Sequence, residues 1–272
     1  MPAISRLFNP YFFWPVLVLF TATRASATLP VLSDDELSWL SEQIFRNECN
    51  AEPSCLTSWN RGEDFPSLGL GHFIWFQAGQ TEVFTETFPQ LLDFYRDEGH
   101  DLPAWLERLP SPDSPWADRE SFQRDLDGAE LTALRKFLFD TRLVQTAFIM
   151  RRLERALPRI LAAAPPDQGQ SVEELFYTLA NSHSPYGIYA LVDYVNFKGE
   201  GISREERYQG EGWGLLQVLQ TMLENDEPGN LPQFVDAAAS ILTRRVANAP
   251  ADRNEQRWLQ GWFNRLDTYL PL

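Results

Sequence analysis

Residues 33–72 read SDDELSWLSEQIFRNECNAEPSCLTSWNRGEDFPSLGLGH, and the fold is decided in this stretch. Ser33 followed three residues later by Glu36 is a capping box, and Asp34 and Asp35 suit the positive end of a helix dipole, so a helix begins here. Its apolar row runs Leu37, Leu40, Ile44, and the next helical step lands on Glu48. A carboxylate in the core-facing row, close to the negative end of the helix, meets desolvation and dipole together, and both favour its uncharged form.

Working outward, residues 56–79 are rich in Gly, Pro, Ser and aromatics, which predicts short strands and turns, a small hairpin region. Beyond it the texture is helical: 89–97, 102–108, 119–126, one long run over 129–164, then 172–180, 186–197, 211–223, 232–247 and 254–266. The segment AAAPPDQGQ at 162–170 is a loop between two helical lobes. The expected fold class is mainly α (α+β), one helical domain with a small sheet after its first helix.

Composition narrows the function classes. The chain has 272 residues, 44% hydrophobic and 22% charged, the make-up of a globular domain. Its 23 basic and 38 acidic residues leave −15, and Lys136 and Lys198 are the only lysines, so nucleic acid is excluded as a partner. Arg6, the short apolar run at 11–22 and the small residues Ala25-Ser26-Ala27 form an export signal over 1–27, cleaved after Ala27. The mature domain is then 28–272, or 272 − 27 = 245 residues; it loses Arg6 and Arg24 and carries −15 − 2 = −17. Pro15 and the shortness of the run argue against the alternative of an uncleaved anchor, so no stable membrane span is expected after cleavage. The folded part is placed in the periplasm or outside the cell. In that oxidising setting Cys49 and Cys55, the only cysteines, are expected to form a disulfide. His72, His100 and His183 are scattered without ligand spacing, so no metal is expected, and no motif asks for a cofactor.

A Glu ending the first helix, followed by the Gly-rich Ser67-Leu68-Gly69-Leu70-Gly71-His72, resembles the lysozyme-like superfamily. The likeness is to the phage-type lysozymes, where a hairpin of pattern T-I-G-I-G-H follows the catalytic Glu; lytic transglycosylases have a comparable Glu. It covers about the first quarter of the mature chain. It implies a lysozyme-like domain, Glu48 as catalytic acid with Ser67 and His72 on the hairpin, and a glycan polymer, peptidoglycan or a related amino-sugar chain, as substrate. The chemistry is consistent on its own terms, because glycoside cleavage needs a protonated carboxylic acid in an apolar surround. The pattern departs at the second carboxylate. Phage-type lysozymes carry an Asp between Glu and hairpin, whereas here Glu63 and Asp64 are displaced from that place. Either one positions water for inversion, or a single-Glu mechanism like that of lytic transglycosylases remains.

Gly69 and Gly71 alternate with Leu68 and Leu70, leaving a bare strand side on which a sugar chain can lie, or else simply a tight hairpin. Trp59 and Trp75 flank it as stacking candidates or as core. Downstream, residues 194–201 and 208–217 mix Gly, aromatics and amides, reading as a second glycan wall through Asn196, Tyr208, Gln209, Trp213 and Gln217. Glu200 and Glu211 are further candidates for the missing carboxylate. The leading expectation is an exported glycosidase; the other is a non-catalytic glycan-binding or envelope-assembly protein on the same scaffold. A buried Glu48 on the floor of an open cleft favours the first, and a Glu48 paired with an Arg under covering loops the second. The charge of −17 counts against an anionic wall polymer and points to a neutral or cationic chain, or to a partner that brings the enzyme to the wall.

Overall fold

The structure is a computed structural model describing residues 28–82, 84–225 and 229–271; the expected export signal at 1–27 lies outside them. Helix α1 (Asp34–Cys49) starts at the capping box: the Ser33 hydroxyl accepts from the Glu36 amide at 3.3 Å, and the Glu36 carboxylate accepts from the Ser33 amide at 2.9 Å. It ends where Asn50 turns left-handed at φ 54°. Leu40 and Ile44 are buried as the periodicity predicts. The Cys49–Cys55 disulfide is formed. It ties the end of α1 to a 3-10 turn (Pro53–Leu56) that leads into the sheet.

That sheet has three short antiparallel strands, β1 (Thr57–Ser58), β2 (Ser67–Leu68) and β3 (Phe73–Ile74), in the order β1-β2-β3, with Ser67 opposite both Ser58 and Ile74. Helices α2 (Phe88–Asp97), α3 (Ala104–Glu107) and α4 (Arg119–Arg124) follow. The expected long helix over 129–164 is two, α5 (Ala129–Asp140) and α6 (Arg142–Ala163). The break falls at Thr141, whose hydroxyl bonds back to the Phe137 carbonyl at 2.7 Å and pairs with the Tyr95 hydroxyl at 2.7 Å, a local side-chain bond that competes with helix continuation. Then come α7 (Gly169–Ala180) and α8 (Tyr186–Lys198), the latter buried on nearly every side. A hairpin of β4 (Arg207–Tyr208) and β5 (Glu211–Gly212) precedes α9 (Leu215–Glu224), so the helix expected over 211–223 starts four residues late. Helices α10 (Leu231–Asn248) and α11 (Gln256–Asp267) complete the fold.

The protein is mainly helical, with two small antiparallel sheets among the described residues. One continuous core of buried side chains runs from α1 to α11. Trp59 and Trp75 belong to it, which corrects their reading as ligand-facing: Trp75 is fully buried among Phe88, Trp105 and Trp116, and Trp59 packs edge-on to Phe122. Their indole N–H groups are satisfied inside, by the Pro112 and Glu63 carbonyls. No helix among the described residues is long and apolar enough to cross a membrane.

Candidate active site

Glu48, in the last turn of α1, keeps 12% of its side chain exposed. One carboxylate oxygen accepts from Arg265 of α11 and from the Asn196 amide of α8 at 3.1 Å; the other lies 3.4 Å from Nε2 of His72. His72 is placed by the turn between β2 and β3, which it enters with a left-handed φ of 46°. Three segments far apart in sequence thus converge on one carboxyl group.

Behind it lies a second carboxylate. Asp193 of α8 is fully buried and takes a two-pronged bond from Arg265, Nε to Oδ2 at 2.7 Å and Nη2 to Oδ1 at 2.8 Å. The Tyr269 hydroxyl donates at 2.6 Å and the Asn47 amide at 3.2 Å. A buried aspartate needs such donors to repay its lost hydration. Burial alone lowers the pKa of a guanidinium, but Asp193 and Glu48 outweigh it and hold Arg265 well above its ordinary value. The Tyr269 hydroxyl is pushed far up by burial and by the adjacent Asp193 charge, so it stays a donor. Two carboxylates therefore share one cation.

A cleft of about 950 Å³ opens beside this cluster, lined at the near end by Gly71, His72 and Asn196 and farther out by Arg152, Arg159 and Glu200. Trp213, at the foot of β5, lines it with Arg245 stacked 4.0 Å above the ring. Protein-family models, curated proteins and solved structures give no match to this chain. Its chemistry has to be read from these residues alone.

Of the sequence candidates, Glu48, His72, Gly71, Asn196, Glu200 and Trp213 meet at or beside the cleft. Glu200 is held by Arg159. Glu63 and Asp64 do not line the cleft: Glu63 accepts from Asn60 within its own turn, and the Asp64 carbonyl accepts from Gln80. Ser67 is buried in the middle strand. Tyr208 donates to Glu255, and Gln209 sits at the exposed hairpin tip. Gln217 braces its loop, accepting from Gly214 and donating to Gly201, and Glu211 accepts from Asn248. Of the two readings of the hairpin glycines, the tight hairpin has close packing behind it. A Cβ on Gly71 would stand 2.5 Å from the Phe73 ring, and one on Gly69, at φ +70°, would strike the Gln145 amide oxygen. Neighbours inside the protein fill the space that either Cβ would take, and Gly71 also lines the near end of the cleft. Asp193 and Arg265 were missed. The one signal for Asp193 is a lone carboxylate in the otherwise apolar YGIYALVDYVNF at 186–197.

Proposed function

We propose that the protein is an exported, lysozyme-like glycosidase that cleaves peptidoglycan or a related amino-sugar polymer bound in the cleft, with Glu48 as general acid. The observation that carries this reading is the surround of Glu48. It is the more exposed of two carboxylates that share the Arg265 cation, it stands beside an open cleft, and its second oxygen faces His72. Asp193 spends both oxygens on four donor contacts inside the protein, which leaves Glu48 as the carboxyl group placed to serve a leaving-group oxygen in the cleft. Glu63 and Asp64 are not at the cleft, which favours a single-acid mechanism over inversion through a water held by either of them.

Glu48→Gln keeps the shape and the Asn196 contact and removes the acid. On purified peptidoglycan sacculi, with mass analysis of soluble products, turnover is expected to fall by at least about 100-fold. Anhydro-ended products identify a transglycosylase, and free reducing ends a hydrolase. The Arg265 ion pair favours a second reading, a non-catalytic glycan-binding protein. Absence of products from the wild type, with glycan binding retained, selects that reading.

A further inference from the structure

We infer that Lys198 is a nucleophilic amine that captures small aldehydes entering the cleft as an imine on its Nζ, an activity independent of the glycosidase reading. Lys198 is the last residue of α8; it lines the cleft and is 8% exposed. Its Nζ rests over the Trp262 and Phe197 rings, 3.5 and 3.9 Å from their centroids, with no hydrogen bond or ion pair among the described residues. Each ring also carries a second cation. The Arg265 guanidinium stands 4.2 Å from the centroid of Phe197, and that of Arg245 stands 5.2 Å from the centroid of Trp262. Those two have their acids already: Arg265 holds Glu48 and Asp193, and Arg245 holds Glu255 through bonds of 2.8 and 2.9 Å. Lys198 is the third basic group in an aromatic box whose carboxylates are taken.

Burial and those neighbours favour the free amine: desolvation first, then Arg245 and Arg265, with Glu255 opposing them, bring its pKa to about 6. A lysine desolvated beside other cations keeps its lone pair at neutral pH, and that pair adds to a carbonyl carbon. The C–N bond forms as the carbonyl π pair moves to oxygen, giving a carbinolamine. Its C–O bond then breaks, the oxygen leaves as water, and the nitrogen sheds a proton to give the imine. Glu206 is placed to serve both proton transfers. It lines the cleft, and a Cβ on Gly199, the residue after Lys198, would stand 3.0 Å from its carboxyl group. Burial, helped by the Glu200 and Glu205 charges and opposed by Arg245, raises its pKa above the ordinary carboxylate value, which suits a proton donor. The narrow exposure of Lys198 admits a small aldehyde rather than a polymer.

The chain carries its own control, because Lys136 is the only other lysine, exposed on α5 and ion-paired with Asp140. Native full-length protein is incubated at neutral pH with acetaldehyde and cyanoborohydride, which reduces an imine to a stable ethylamine. Peptide mass mapping then separates ethyl groups on Lys198, on Lys136 and on the α-amino group. Lys198 is expected to be labelled at least about tenfold faster than Lys136. Lys198→Met is expected to remove that adduct alone, and Glu206→Gln to slow it severalfold, with unfolding midpoints confirming that both variants fold. Labelling of Lys136 as fast as Lys198, or labelling of Lys198 only after denaturation, overturns the inference. An undiminished rate in Glu206→Gln overturns the proton transfer assigned to that residue.

Discussion

Lys198 shows how much one buried side chain can set. Burial, reinforced by the Arg245 and Arg265 charges and only partly offset by Glu255, brings its pKa from 10.5 down to about 6. Between those values the unfolded chain holds a proton that the folded chain does not, so this group makes folding more favourable as pH rises from 6 toward 10.5. Below 6 the amine is charged in both states and the whole cost of burying the cation is present. Lys198→Met is therefore expected to raise the unfolding temperature most near pH 6 and progressively less toward pH 10. Unfolding scans across that range check it, and a gain independent of pH rejects it. At this scale the sequence disclosed Glu48 through its place in the apolar row. It did not disclose the cation that pairs with Glu48, because Arg265 is 217 positions away. The tryptophans misled for a related reason: residue type does not distinguish an indole that stacks on a sugar from one whose N–H finds a carbonyl inside the core.

Among the elements, the turn after β2 is hydrogen-bonded to α6 through one amide side chain, beside the packing of Phe73 on Phe148. Gln145 is fully buried; it accepts from the Leu70 amide at 2.9 Å and donates to the Leu138 carbonyl at 2.6 Å. Gly69 exists to let that side chain in. Gly69→Ala combines a left-handed backbone with a steric clash and is expected to cost about 2–4 kcal/mol, measured by chemical denaturation. A variant of wild-type stability would restore the idea that the glycine is there for a ligand. Elements were legible where their signals are local, as with the capping box and the Gly-rich turn. The break at Thr141 was not, since no Gly or Pro marks it and its cause is a hydroxyl shared with Tyr95 of α2. The strands β4 and β5, two residues each, are too short to show an alternating pattern.

Across the whole molecule, net charge proved a poor guide to the cleft. The sequence sum of −15 argues for a neutral or cationic ligand, yet the cleft lining has more cations than carboxylates, because a sum carries no positions. The first and last helices are joined through Arg265, with α8 between them. Arg265→Met leaves Glu48 and the buried Asp193 without their cation and is expected to destabilise the fold by about 3–5 kcal/mol. Denaturant midpoints measure this, and a loss under 1 kcal/mol would show that Tyr269 and Asn47 alone sustain the aspartate. The same link orders events in time. While the chain is being synthesised, the carboxylates at 48 and 193 emerge before residue 265, so a chain cut short of 265 holds two acids without the cation they share. The site is thus closed across 217 positions of chain, and no segment shorter than 48–265 can assemble it.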